Sequence, residues 1–357
     1  MLKPGDTIGI LGGGQLARML ALAAAPLGLK VHIYAPEEDC PAFDVAARRT
    51  TGLFDDAHAL EVFAKTVDVI TYESENIPTA PLASLEGKVR LSPPLRALAL
   101  TQDRLHEKTF IRDLGIAVPP FHPVSSPADL EAAIAHTDLP AVLKTRRFGY
   151  DGKGQTRITA AADARGAYAA IGHTPAILEA FVPFACEISV IAARGHDGSF
   201  TAFDPPENAH RHHILATSTV PATISSSLAD QAIQATRRIA EALEYVGTIA
   251  VEFFVTGNGE LLVNEIAPRV HNSGHWTIEA CLVSQFEAHI RAIAHWPLGD
   301  TRRTHDAVMT NLIGDDAGQW DRLIAEPATH LHLYGKRHAR AGRKMGHVTR
   351  LGRPSLT

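Results

Sequence analysis

Apolar positions over the first hundred residues fall into short blocks that alternate between two spacings. Thr7-Ile8-Gly9-Ile10-Leu11 is a continuous run bounded by turn residues, which predicts a buried strand. Residues 16–27 carry apolar positions at helical spacing, and residues 31–34 predict the next strand. A helix over 57–66 then leads into a strand over 67–71. Strands alternating with helices predict a parallel sheet covered on both faces.

After Leu91-Ser92-Pro93-Pro94 and a helix predicted over 102–114, the rhythm changes. Residues 141–144, 155–158, 176–179 and 187–191 read as short strands with few helices between them, which predicts a second, α+β domain with an antiparallel or mixed sheet. A long helix over 228–243 precedes a hairpin with arms at 248–255 and 260–265. From about residue 301 come strands near 308–312 and 330–333, followed by a basic tail.

Composition narrows the class. With 357 residues the chain is too long for one ordinary core, and 45% hydrophobic with 20% charged residues suits a globular fold. A net charge of −5 gives no overall pull toward nucleic acid. Cys40, Cys186 and Cys281 are too scattered for a disulfide framework or a thiolate metal site, so a cytoplasmic setting is expected. Arg18, Pro26 and Lys30 interrupt the apolar N-terminal stretch, so no membrane span is expected.

Four segments carry candidate chemistry. Gly12-Gly13-Gly14-Gln15-Leu16-Ala17 follows a strand and opens a helix, a pattern whose backbone amides can receive a phosphate. It lacks a clean acidic residue after the second strand, which argues against NAD; another anionic ligand or a plain tight turn remain the alternatives. Lys144 ends a strand and is followed by Gly149, Tyr150, Asp151, Gly152, Lys153, Gly154 and Gln155. Glycine lets backbone amides approach oxygens closely, and lysine adds mobile charge, so this loop reads as a flap over a polyphosphate rather than a solvated hairpin. It is no Walker loop, because Gly154 rather than Ser or Thr follows Lys153. Glu252 and Glu265 lie on the two arms of the hairpin. A symmetric turn about Gly257-Asn258 would place Glu252 opposite Val263, with Glu265 on the same face along the diagonal. Two carboxylates on one face suit Mg²⁺ shared with phosphate oxygens, and Asn264 adds a neutral oxygen. Arg269, His271, Asn272, Ser273 and His275 follow directly and read as hydrogen-bonding groups for a substrate, not a zinc pair. Residues 336–353 carry seven Lys and Arg and no acid, among them Lys336, Arg343 and Lys344. A clamp on a small phosphate is preferred there over a solvated face or a nucleic-acid tail.

Together these stretches resemble the ATP-grasp superfamily and, within it, the biotin-independent 5-(carboxyamino)imidazole ribonucleotide synthases. The resemblance runs in order through GILGGGQLARM from Gly9, TYESENIP from Thr71, the Lys144–Gln155 segment, VEFFVTGNGELLVNEIAPRVHNSGHWT from Val251, MTNLIG from Met309 and LHLYGKRHARAGRKMGHV from Leu331. It implies an ATP-grasp fold of α/β and α+β class: a Rossmann-like parallel-sheet domain over 1–100, an ATP-grasp domain over 108–294, and a small β-rich domain over 300–357. It implies ATP-dependent carboxylation of 5-aminoimidazole ribonucleotide with bicarbonate, in purine biosynthesis, with Mg²⁺ (or Mn²⁺) as cofactor. Carried over by position, Arg104, Lys144, the Gly149–Gln155 flap, Glu179, Ala180, Phe181, Val182, Glu187, His210, Asn264 and Glu265 would contact ATP. Glu252 and Glu265 would hold the metal. Gln15, Glu73, Tyr150, Arg269, His271, Asn272, Ser273, Lys336, Arg343 and Lys344 would serve the ribonucleotide and the chemistry. The resemblance also implies a homodimer that passes its product to a separate mutase, with no nucleic-acid or membrane partner. Two departures stand out: Val270 where Pro is common, and Arg211-His212-His213 in place of an acidic-Gly turn. A formate-dependent ribonucleotide transformylase of the same superfamily is the rival reading; an NAD-dependent oxidoreductase would leave Lys144, the flap and the carboxylate hairpin unexplained.

Overall fold

Five short strands near the N-terminus pair in parallel: β1 (Thr7–Leu11), β2 (Lys30–Ala35), β3 (Arg48–Thr51), β4 (Val69–Tyr72) and β5 (Arg90–Leu91). Their spatial order is β3-β2-β1-β4-β5, so chain direction across the sheet reverses between β1 and β4. Residues of β1 and β4 are buried on both faces, as the unbroken apolar runs predict. One face is covered by the helix Gln15–Ala24 and by Gln285–Ala294, a helix from much later in the chain; Ile8, Ile10, Leu20, Phe286 and Ile290 share one apolar cluster. The helix Ala57–Ala64 covers the other face, with Phe63 grouped with Leu11 and Tyr34. The structure, a computed structural model, describes residues 1–149 and 152–354.

A four-stranded antiparallel sheet follows, made of β6 (Phe121–Val124), β7 (Ala141–Thr145), β8 (Gln155–Ile158) and β9 (Ala176–Ala180) in the order β6-β9-β7-β8. Two helices, Pro127–Ala135 and Ala164–Ala170, supply its cover through Leu130, Ile134, Ala167 and Tyr168. Both are alanine-rich, with too few large apolar residues to show a helical stripe in the sequence.

The remaining strands are β10 (Phe184–Arg194), β11 (Phe200–Ala202), β12 (Glu207–Arg211), β13 (Ile214–Val220), β14 (Gly247–Thr256), β15 (Leu261–Ala267), β16 (His305–Ile313), β17 (Thr329–Leu333) and β18 (Lys344–Pro354). They build one nine-stranded sheet, ordered β15-β14-β10-β12-β13-β16-β18-β17, with β11 on the flank of β10. The C-terminal strands therefore continue the sheet of the middle segment through the β13–β16 pairing. The tail expected after residue 333 is in large part strand: β18 pairs with β16 and β17, and residues 345–349 are buried without a break between Lys344 and Arg350. The like charge on either side of that short buried run hid it.

The helix Arg104–Asp113 bridges the four-stranded and nine-stranded sheets. Asp103 caps it by accepting from the Leu105 amide at 3.0 Å, and the Arg146 guanidinium grips the same carboxylate at 2.9 and 2.7 Å. One turn on, Glu107 accepts the Ile266 amide of β15 at 2.6 Å, and Lys108 donates to the Val263 carbonyl at 3.2 Å. Lys108 also lies 3.6 Å from Glu179 at the end of β9. Its side chain is wholly buried, and burial holds the ammonium below its usual pKa.

Lys108→Met keeps the volume but leaves β15's carbonyl and the Glu179 carboxylate short of a partner. It should lower stability by about 3 kcal/mol, the scale of breaking a buried ion pair. A urea midpoint that falls at unchanged slope would show this; an unchanged midpoint would mean that burying the ammonium costs as much as its contacts return.

Candidate active site

The loops after β1 and β4 meet where the strand order reverses, the place where open parallel sheets bind ligands. Gly12 adopts a left-handed φ of +106°, and a Cβ there would lie 2.3 Å from Cγ of Glu73; at Gly14 a Cβ would lie 2.6 Å from Glu73 Oε1. The glycines are required by that approach. The Glu73 carboxylate accepts from the amides of Gly14 and Ala17, the latter at 2.9 Å. Two of the amides in this turn, those of Gly14 and Ala17, are thus taken by the protein's own carboxylate. Burial raises Glu73 above the usual carboxylate range, and the two amides oppose that shift.

A cavity of about 250 Å³ opens beside this turn, lined by Gln15, Glu73, Glu75, Arg269, His271 and Asn272 among others. Lys344 also lines it, and Lys336 donates to the Lys344 carbonyl at 2.8 Å. Burial, with Arg343 nearby, lowers Lys336 to about 8. The Arg343 side chain itself turns to the His338 carbonyl at 2.9 Å. Glu75, which sequence reasoning did not single out although it lies in the TYESENIP stretch, holds Arg269 in a bidentate pair, one contact at 2.9 Å. Burial alone would raise Glu75, but the guanidinium holds it down at about 2. Asn272 is buried, and neither atom of its side-chain amide has a hydrogen-bond partner among the described residues. A buried amide in that condition suits a ligand inside the cavity. Val270, where a proline is common, is fully buried in the apolar cluster under β1.

The second group of candidates lies between the two sheets. Lys144 reaches Glu179 at 2.8 Å, and Arg104 reaches Glu265 at 3.1 Å and the Gly149 carbonyl at 3.4 Å. Burial would raise Glu179, but Lys108 and Lys144 hold it at about 2; its Oε1 is buried with no hydrogen-bond partner among the described residues. Ala180, Phe181 and Val182 continue from Glu179 toward β10, with Arg157 over the Phe181 ring at 4.3 Å. His210 on β12 bonds Glu187 on β10 at 2.8 Å; burial would lower the imidazole, but that carboxylate raises it. Of the flap, Gly149, Gly152, Lys153, Gly154 and Gln155 are described, and Gly152 packs against His213 of the β12–β13 turn. Tyr150 and Asp151 lie outside the described residues.

The carboxylate hairpin differs in register from the sequence expectation. Glu252 pairs directly with Glu265, Phe253 pairs with Val263, and a bulge between them absorbs Asn264. The symmetric-turn argument had no means of registering that extra residue. The two carboxylates still share a face. Burial and the charge of Glu265 push Glu252 well above the usual carboxylate range. Asn264 Nδ2 lies 3.5 Å and His271 Nε2 3.4 Å from Glu252, so the hairpin touches the cavity wall. Burial, with Arg269 beside it, lowers His271 to about 3. A larger depression of about 580 Å³ lies behind this hairpin, but it is lined by Phe253 and Leu261 and turns away from the carboxylates.

Residues 5–102 match the ribonucleotide synthetase preATP-grasp domain, 109–286 the ATP-grasp domain, and 307–355 the phosphoribosylaminoimidazole carboxylase C-terminal domain. The chain is 51% identical over 352 residues to N5-carboxyaminoimidazole ribonucleotide synthase of Brucella melitensis, across 98% of this chain and 97% of that protein. The chain belongs to the N5-carboxyaminoimidazole ribonucleotide synthase family. Like the rest of that family it is an ATP-grasp ligase. An ADP complex of an N5-carboxyaminoimidazole ribonucleotide synthetase superposes with a TM-score of 0.95 at 43% identity, over 99% of this chain and 94% of that one. The Aspergillus clavatus synthase, solved with ADP and 5-aminoimidazole ribonucleotide, superposes at 0.92 with 30% identity, over 97% of this chain and 94% of that one.

The raised pKa of Glu252 carries a stability consequence. A folded value above the ordinary 4.5 favours the protonated form, so its stabilisation is full below about pH 4.5 and is lost as pH rises through the folded value. In chelator-treated, ligand-free protein, Glu252→Gln should therefore raise the melting temperature at neutral pH. The gap should close as pH falls toward 4.5. Calorimetry across that range checks it; a gap independent of pH would remove the carboxylate repulsion as its cause.

Proposed function

We propose that this chain carboxylates 5-aminoimidazole ribonucleotide with bicarbonate and ATP, giving 5-(carboxyamino)imidazole ribonucleotide, ADP and phosphate. The observation that carries the reading is the contact between Glu252 and His271: it joins a cation-and-carboxylate site between two sheets to a small polar cavity at the β1/β4 switch point. One reaction that brings a triphosphate and a second phosphorylated molecule together needs that adjacency.

Bicarbonate oxygen bonds to the γ-phosphorus and ADP leaves; the exocyclic amine then bonds to the carboxyl carbon, phosphate leaves and the amine proton is lost. Phosphoryl transfer of this kind is mostly positioning and charge neutralisation, and needs no protein nucleophile. Lys144 and Arg104 supply the fixed positive charge, while Glu179, with one buried oxygen unpartnered among the described residues, would accept a donor from the nucleotide. The opposed pair Glu252 and Glu265, with Asn264 beside them, fits Mg²⁺, which takes one or two carboxylates and completes its shell with phosphate oxygens. When bound there, the cation would neutralise charge on the transferring phosphoryl group. The flap from Gly149 to Gln155 keeps water from the short-lived acyl phosphate. In the cavity, Arg269 is oriented by Glu75, Asn272 offers an amide unpaired among the described residues, and Lys344 in the wall, with Lys336 and Arg343 next to it, brings charge to the ribonucleotide phosphate. Gln15 and Glu73 form the opposite wall, where Glu73 stabilises the turn instead of a substrate phosphate doing so.

A cytoplasmic setting, a homodimer and delivery of product to a separate mutase belong to the same proposal. Among the described residues no helix is long and apolar enough to cross a membrane. Light scattering tests the dimer.

ADP release should require ATP, Mg²⁺, bicarbonate and aminoimidazole ribonucleotide together, and turnover with formate but not bicarbonate would overturn the reading. Losing one charge-assisted phosphate contact costs roughly 2–4 kcal/mol. Lys336→Ala should therefore raise the KM for aminoimidazole ribonucleotide by tens to hundreds of times, roughly, while the KM for ATP barely moves. Lys144→Ala should reverse that pattern.

A further inference from the structure

Behind the carboxylates, a row of polar side chains crosses the nine-stranded sheet. Ser189 on β10 is paired with Glu252 on β14, and Asn208 on β12 is paired with Ser218 on β13, so the row lies in register beside the hairpin. Ser189, Ser218 and Ser273 are completely buried, and Asn208 nearly so. Interior hydroxyls and amides cost stability unless they are hydrogen-bonded, and here each of these side chains has a partner in the row. Ser218 Oγ donates to Asn208 Oδ1 at 2.7 Å, and Asn208 Nδ2 donates to Ser189 Oγ at 3.0 Å. Ser189 Oγ and Ser273 Oγ are 2.7 Å apart, and Ser273 Oγ is 2.8 Å from His271 Nδ1.

The direction of this chain is set at its far end. The backbone amide of Ser273, which can only donate, also points at His271 Nδ1, at 3.4 Å. Nδ1 is therefore an acceptor, Ser273 donates its hydroxyl proton to it, and Ser189 donates to Ser273. That leaves Asn208 to donate to Ser189 and accept from Ser218. With Nδ1 unprotonated, the ring proton sits on Nε2, the atom 3.4 Å from Glu252 Oε1. An Asn208 amide turned the other way would reverse each step and set a ring N–H against the Ser273 N–H.

We propose that Ser189 and Asn208 are positioning residues: through Ser273 they hold His271 as its Nε2–H tautomer, so that a ring N–H and not a lone pair faces Glu252 at 3.4 Å and favours that carboxylate's position toward the reacting phosphate. The role of Glu252 in this rests on the function proposed above; the tautomer does not. Partners one step behind a ligand carboxylate or histidine commonly matter 10–100-fold.

Ring ¹⁵N shifts of His271 in the ligand-free protein test the relay without any turnover. The pyridine-type nitrogen should be Nδ1; finding it at Nε2 overturns the proposal. Asn208→Asp replaces the donor to Ser189 by an acceptor, so as the new carboxyl ionises with rising pH the two ring nitrogens should exchange character. Ring shifts unmoved over the whole accessible pH range would overturn the relay. Ser189→Ala should lower kcat by about 10–100-fold with circular dichroism unchanged; an undiminished kcat would overturn the positioning role. Loss of all carboxylation activity in the parent chain, with the tautomer as stated, would instead count against the function and leave the relay standing.

Discussion

Charge buried between two sheets is the constraint on which this molecule depends. The Arg104–Asp113 helix sends Arg104 to Glu265, Glu107 to the Ile266 amide, and Lys108 to both Val263 and Glu179. Each of these groups would be costly in the interior alone, and each becomes tolerable only through a partner on another element. The helix therefore cannot shift without unpairing charges on both sheets at once. That rigidity sets where Lys144, Glu179 and the hairpin face one another, and so where a nucleotide can lie.

The pairing falls short at two carboxylates. Arg104 answers Glu265, and Lys108 and Lys144 answer Glu179; among the described residues Glu107 is held by the Ile266 amide, and Glu252 by a side-chain amide with the neutral His271 close by. The raised pKa of Glu252 is the mark of that shortfall. A protein built purely for stability would replace such a carboxylate. One built to gather a cation with a polyphosphate, as proposed above, keeps it, and the stability given up there is recovered on binding.

The β1 turn handles its anion differently. A glycine-rich turn at a helix N-terminus is open to a ligand phosphate, yet here Glu73 from the β4 loop enters it and ties the two loops of the switch point together. The cavity beside it is then walled by side chains of three distant segments: Glu75 with Arg269, Asn272, and Lys344 with Lys336 next to it. Preorganising Arg269 through Glu75 has the same logic as bridging the sheets, since a fixed partner is what makes a buried charge useful.

Apolar runs and glycine placement, both local, carried much of this into the sequence. Short apolar-rich runs such as EISVI and VEFFV, the unbroken runs at β1 and β4, and the hairpin turn at Gly257 are dictated by the backbone within a few residues, and the strands follow them. The motif stretches were legible for the same reason: chemistry at a loop needs fixed residue types at fixed spacing. What lay beyond reach was whatever depends on a partner far along the chain. The bulge that absorbs Asn264, the joining of β13 to β16, the strand inside the basic tail, the occupation of the Gly12 turn by Glu73, and the roles of Glu107, Lys108 and Ser189 all arise from contacts between separated elements. Side-chain period and turn chemistry are properties of a segment, whereas register, burial of charge and the direction of a hydrogen-bond chain are properties of the packed whole.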